Sequence, residues 1–388
     1  MKKAMRVVIL HTFIEEAGGG ERVALSMARA MRELGHDVDL YSASVSEAAW
    51  SLLASPGDPM PRRLKLGLWP YLLRSIGGNR LHRLIVLEAT ANALKALKGA
   101  GGYDVYVVTS GGVPLNSDMC YIHFPAAIDL AVRRGGALRR AYDWLVAREA
   151  RRVVGRPLAV LANSTWTAGK VREAYGLEAR VLHPPVEVGR LLALGDRKED
   201  VVLTVSRFTP EKNLEAIVQV ASMVPEAEFY LVGSTSSYSA PVLERVRSLA
   251  DELKVRNLHV ETDVPRRRLE ELYSIAKIYL HPPFPEHFGI AIAEGVAAGA
   301  VPVVYRDGGG WTDIASRIDP MLGYTTVEGA ASIVRSLLRD EARRAALAER
   351  AREVARGFSH ESFKADVAKV MDELARLKGR RDELKGPT

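Results

Sequence analysis

Two acids eight positions apart, Glu286 and Glu294, lie in Pro-Glu-His-Phe-Gly-Ile-Ala-Ile-Ala-Glu-Gly. An apolar run, Ile278 to Leu280, meets prolines just before them, so a strand ends there and a loop carries Glu286. The small and aliphatic residues from Gly289 onward predict a helix starting just after Glu286. Its first N–H groups, from about Phe288 to Ile290, then face the loop and favour an anion such as a phosphate. At ~1.5 Å per residue, Glu294 falls about two turns and ~12 Å along that helix. Carboxylates that hydrolyse a glycosidic bond stand roughly 5–5.5 or 6.5–9.5 Å apart, so the pair is too far apart for that reaction. About 12 Å does match an extended ribose-diphosphate-sugar unit, one acid holding the sugar and the other the ribose.

A second pair, Arg207 and Lys212, lies in Ser-Arg-Phe-Thr-Pro-Glu-Lys-Asn, directly after the predicted strand Val201 to Val205. Ligands of open α/β sheets bind at this carboxyl end of a strand. A planar guanidinium fork and a mobile ammonium can share a diphosphate and compensate its charge without a metal.

Positioning these groups calls for doubly wound sheets, and the chain reads that way in both halves. Arg6 to His11 is a buried strand, Gly18-Gly19-Gly20-Glu21-Arg22 opens a helix to about Leu34, and Val38 to Ser42 is the next strand. Gly19 and Gly20 allow backbone to approach a phosphate or sugar closely. As a dinucleotide fingerprint the match is partial, because Val23 stands where a third glycine belongs. With Asp37 and Asp39 near the distance of a ribose-binding acid, a nicotinamide-dependent oxidoreductase stays open. Asp37-Val38-Asp39 also has the form of an Asp-x-Asp metal motif, but its place at a strand mouth marks it as structural. Further strands end at Ser110-Gly111-Gly112, at Tyr121-Ile122-His123-Phe124-Pro125 and at Asn163-Ser164-Thr165, whose Ser164 region caps a helix. Val181 to Val186 breaks regular structure, and the charged segment Gly195 to Asp200 follows, marking a domain boundary.

The composition, 47% hydrophobic and 26% charged over 388 residues, is that of a soluble two-domain protein. Neither a cleavable signal nor a membrane-spanning stretch is expected, and the single Cys120 excludes an internal disulfide and a cysteine-based metal cluster. A reducing cytosol fits. One glutamine and abundant arginine hint at a thermophilic source. Residues 1–188 carry 25 Lys and Arg against 17 Asp and Glu, while the remainder carries 29 against 30, so the excess of +7 belongs to the first half. Arg62, Arg63, Lys65 and Arg74, interleaved with Trp69 and Tyr71, suit an anionic membrane surface or, alternatively, the solvated face of a helical insertion. No nucleic-acid motif accompanies the charge.

The segment holding Glu286 and Glu294, with Arg207 and Lys212, resembles the signature of the retaining glycosyltransferases of family 4. Tyr121-Ile122-His123-Phe124-Pro125 is similar to the corresponding segment of the eukaryotic mannosyltransferases that extend dolichol-linked oligosaccharides. The resemblance implies an α/β chain of GT-B fold: two Rossmann-like doubly wound domains facing across a cleft, residues 1–187 and 188–355, with 356–388 crossing back to the first. It implies transfer of a sugar from a nucleotide diphosphate donor with retention, the leaving phosphate acting as base. Arg207 and Lys212 would hold the diphosphate, Glu286 the sugar and Glu294 the ribose. Phe288, Gly289 and Ile290 would offer N–H groups, Val264 would face the base, and His123 would line the cleft near the transferred sugar. GDP-mannose and a polyprenyl-phosphate-linked or glycan acceptor are the favoured substrates, with a UDP-sugar as the alternative. No metal or cofactor is expected, and the enzyme would sit peripherally on the inner face of the membrane. Gly308 to Asp313 resembles the family's glycine-rich loop, but the proline usual near Trp311 is missing.

Overall fold

The computed structural model describes residues 4–16, 18–55, 57–64, 82–129, 137–195, 197–236 and 239–383. It divides into two compact units, Met1–Pro185 with His360–Thr388, and Val186–Ser359, against the boundaries 187/188 and 355/356 expected from sequence.

In the first unit, β1 (Arg6–Leu10), α1 (Gly19–Glu33), β2 (Asp37–Ser42) and β3 (Arg62–Arg63) are followed by α2 (His82–Ala100) and β4 (Val105–Val108). β5 (Met119–Ile122), α3 (Ala137–Val153), β6 (Ala159–Ala162), α4 (Thr165–Tyr175) and β7 (Arg180–Val181) complete it. The seven strands pair in parallel in the order β3-β2-β1-β4-β5-β6-β7. A parallel sheet is covered on both faces, so its central strands are apolar throughout. Val7, Val8, Ile9 and Leu10 in β1 and Val105, Val107 and Val108 in β4 are all at most 1% exposed. Each such side chain contributes about 1.5–3 kcal/mol on burial. α1 buries Val23, Ala24, Met27, Ala28 and Met31 on one face and stops where Gly35 turns to φ +87°. The Ser164 hydroxyl accepts from the Thr167 N–H at 3.0 Å, capping α4 as its sequence predicts.

The second unit holds β8 (Glu199–Val205), α5 (Glu215–Met223), β9 (Glu228–Gly233), α6 (Ser239–Glu252), β10 (Leu258–Thr262) and α7 (Arg266–Ile275). β11 (Ala276–Leu280), α8 (Ile290–Ala297), β12 (Val301–Tyr305), β13 (Gly323–Tyr324), α9 (Val327–Arg339) and α10 (Glu341–Arg356) follow. Its six parallel strands run β10-β9-β8-β11-β12-β13, so β8 and β11 are central neighbours and the loops after them emerge side by side. The last helix, α11 (His360–Glu383), returns to the first unit, where Phe363, Val367, Val370, Met371 and Leu374 join the core under α1. No helix among the described residues is long and apolar enough to cross a membrane.

Candidate active site

The neighbouring strands β8 and β11 bring the two charged pairs of the second unit to one edge. After β8 the chain turns through Thr209, a short 3-10 turn Pro210–Lys212, and Asn213 at φ +49°. Lys212 is thereby tucked in, only 8% exposed. Its Nζ donates to Glu286 Oε2 at 2.6 Å and sits 4.3 Å from the centre of the Phe284 ring. Arg207, from the same loop, is exposed. The Thr209 hydroxyl between them is buried with no hydrogen-bond partner among the described residues.

Glu286 is held by its backbone as much as by its side chain. It forms a parallel bridge with Gly308, and the Gly309 N–H donates to its carbonyl at 2.6 Å. Gly308 has φ +91°, and a Cβ there would come within 2.4 Å of the Glu286 carbonyl oxygen, so only glycine lets the two loops meet. Burial pushes the Glu286 carboxyl up, but the Lys212 charge and the His281 hydrogen bond outweigh it and hold it well below the usual range. His281, 4% exposed, places Nε2 at 3.4 Å from the same oxygen. Burial holds its imidazole below the ordinary histidine range, against the pull of Glu286, so the neutral ring serves as an N–H donor. His281 and Phe284 went unnoticed in the sequence, although both lie in the Leu-His-Pro-Pro-Phe-Pro-Glu segment that carries Glu286.

The structure corrects the expected spacing of the two acids. α8 begins at Ile290, four residues after Glu286, because Gly289 takes φ +95° as its N-cap. Glu286 and Glu294 therefore do not stand two turns apart on one helix, and the ~12 Å rise does not describe them. The first intrahelical bond runs from Ala293 N–H to the Gly289 carbonyl at 2.9 Å, so the helix-mouth N–H groups are those of Gly289 to Ile292, which keeps Gly289 and Ile290 of the expected set and leaves Phe288 before it. The Phe288 side chain is core, 2% exposed and edge-on to Phe358 at 5.1 Å. Glu294 is 7% exposed; the Tyr273 hydroxyl donates to its Oε2 at 3.0 Å, and Arg266 Nη1 stands 3.9 Å from Oε1. Val264 is half-buried at the carboxyl end of β10, beside Asp263 at φ +52°.

In the first unit the glycine loop has a different character. Glu21 lies in the first turn of α1, and its carboxylate folds back to where a Cβ at Gly18 would be 2.5 Å away. The helix mouth beside Gly19 and Gly20, expected to let a phosphate or a sugar approach closely, thus has the Glu21 carboxylate next to it. His123 Nε2 is 3.1 Å from the Thr109 carbonyl, and its ring stands beside Gly20. Of the basic segment, Arg62 pairs with Asp39 at 2.9 Å and Arg63 is exposed on the edge strand β3, while Lys65, Trp69, Tyr71 and Arg74 lie outside the described residues. Asp39 also accepts from Tyr103 at 2.6 Å, which accounts for the Asp-x-Asp motif structurally.

Two family models match the chain: "Glycosyltransferase Family 4" over residues 17–190 and "Glycosyl transferases group 1" over 194–354. A GDP-Man:Man(3)GlcNAc(2)-PP-Dol alpha-1,2-mannosyltransferase of Dictyostelium discoideum is 27% identical over 55% of this chain and 47% of its own length, so the chain spans about half of that relative. The alpha-1,3/1,6-mannosyltransferase ALG2 of Rhizomucor pusillus is 25% identical over 79% of this chain and 78% of its own. The solved sucrose-phosphate synthase of Thermosynechococcus elongatus superposes with a TM-score of 0.72 at 18% identity, covering 96% of this chain and 100% of that one. Its two parallel sheets with flanking helices make the fold GT-B.

Proposed function

The chain belongs to glycosyltransferase family 4, matched by that family's model over residues 17–190 and by the group 1 model over 194–354, and we propose that it transfers mannose from GDP-mannose, with retention, to a hydroxyl of a polyprenyl-phosphate-linked acceptor. The observation that carries this reading is the contact of Lys212 with Glu286, which joins the cation loop after β8 to the acid loop after β11. The chemical demand is to stabilise a departing diphosphate and a cationic sugar carbon. Arg207 supplies a guanidinium fork, Lys212 supplies N–H donors beyond the one on Glu286, and the first turn of α8 adds backbone donors. No metal takes part in this account. The acceptor hydroxyl forms the new bond to the anomeric carbon as the bond to the β-phosphate oxygen breaks, and the hydroxyl proton passes to that leaving oxygen. Glu286, kept ionised by Lys212, orients the sugar, and Glu294, fixed by Tyr273, meets the ribose.

Mannose is favoured by the Tyr121 to Pro125 segment and by the GDP-mannose named for the Dictyostelium relative. Basic residues of the first half, Arg62 and Arg63 among them, support peripheral attachment at the cytoplasmic face. A melting panel of GDP, UDP, ADP and NAD with EDTA present tests the donor class, since a ligand at 100 times its Kd adds about 2.7 kcal/mol of stability. GDP should give the largest upward shift. A UDP shift would move the donor to a UDP-sugar, and a shift with NAD alone would replace the transferase by an oxidoreductase. Flotation with anionic vesicles at low salt tests the attachment, which fails if the protein stays in the soluble fraction.

A further inference from the structure

Beside the glycine loop of the first unit, two histidines and a carboxylate, His11, His123 and Glu21, form a connected group. His11, at the end of β1 and 5% exposed, bonds through Nδ1 to the Thr109 hydroxyl at 2.9 Å. That hydroxyl also reaches the Leu10 carbonyl at 3.4 Å. His11 Nε2 faces Glu21 Oε1 at 3.9 Å. The carbonyl of the same Thr109 stands 3.1 Å from His123 Nε2. A carbonyl can only accept, so the hydrogen of this contact sits on His123 Nε2. Both rings pack on Gly20, where a Cβ would lie 3.5 Å from His123 Nε2 and 3.8 Å from His11 Cε1.

We propose that Glu21 and His11 are positioning residues for His123, fixing its ring through Thr109 in the orientation and tautomer that place the proton on Nε2. Glu21 holds His11, His11 holds the Thr109 side chain, and the Thr109 main chain holds His123. Helix capping alone would engage only the oxygen that folds over Gly18. The other oxygen of Glu21 faces His11, and although burial pushes this carboxyl up, the two histidines draw it below its ordinary range. The proposal rests on the transferase reading only for the kinetic consequence of moving His123.

Long-range proton–nitrogen correlation spectra of the full-length 15N-labelled protein test it, with the two rings assigned by His11→Gln and His123→Gln. The wild type should show His123 as the Nε2–H tautomer, and Glu21→Gln and Thr109→Val should both move it to a mixed tautomer. In the kinetic arm, with GDP-mannose as donor, kcat of Glu21→Gln should fall by up to roughly 10²-fold with donor KM unchanged. An unchanged His123 signature in folded Glu21→Gln, with only the melting temperature lowered, assigns Glu21 to capping and overturns the proposal. The spectra need no donor, so a wrong donor assignment leaves this outcome readable.

Discussion

The mouths of α1 and α8 both open on a glycine, extended at Gly18 and left-handed at Gly289, and are charged differently. Both helices follow a glycine N-cap at the carboxyl edge of a parallel sheet, Gly18 in one and Gly289 in the other. The first turn of α1 contains Glu21, whose carboxylate folds back over the mouth, whereas the first turn of α8 has no acid. The exposed Arg207 and the buried Lys212 belong to the sheet edge beside α8. A helix N-terminus carries about half a positive charge, so α8 invites an anion and α1 has brought its own. The two mouths thus share a glycine N-cap and differ in the acid of the first turn.

The contrast breaks most sharply at its cations. Lys212→Ala should lower donor turnover by about 10²–10³, as for a lost transition-state donor, and should also destabilise the fold by about 1–3 kcal/mol, because Glu286 loses its ammonium partner and keeps only His281. Arg207→Ala should lose comparable turnover while its melting temperature barely moves, because the side chain is exposed. Equal destabilisation in both variants would contradict the division of labour between them. Gly308→Ala, measured by denaturant unfolding, should cost about 1–3 kcal/mol from its left-handed backbone alone, and more as the methyl meets the Glu286 carbonyl. Ala291→Asp makes α8 resemble α1; calorimetry should show GDP affinity weakened by up to ~30-fold, or about 2 kcal/mol. The smallest effect is on pH dependence. His281 is held below the ordinary histidine range, so as pH falls below about 6.5 the unfolded chain takes up a proton first and stability drops. His281→Asn should lose less stability than the wild type across that window. Glu286, held low, contributes fully above about pH 4.3 and loses that contribution progressively as pH falls from there toward its lowered folded value.

Local chemistry made much of this legible beforehand. Apolar β-branched runs such as Val105 to Val108 are buried strands because a doubly covered sheet needs them, and Ser164 caps α4 through its own hydroxyl. Arg207, Lys212 and Glu286 were visible from residue type and from their place after strands. What escaped was set by contacts distant in sequence. The positive φ of Gly289 delays α8 and undoes the two-turn spacing, and nothing in the local residue pattern distinguishes it from a helical glycine. His281 and Glu21 gain their roles from Glu286 and from His11, partners that composition and periodicity do not reveal.

In the proposed reaction, fixed positive charge on the second unit, with no bound cation, compensates the diphosphate. Calorimetric titration of GDP and of guanosine in EDTA, against the wild type and Arg207→Ala, addresses it directly. The account requires GDP to bind the wild type in EDTA and to lose affinity in Arg207→Ala while guanosine is unaffected. GDP binding that appears only on adding manganese, and that ignores Arg207→Ala, would contradict it.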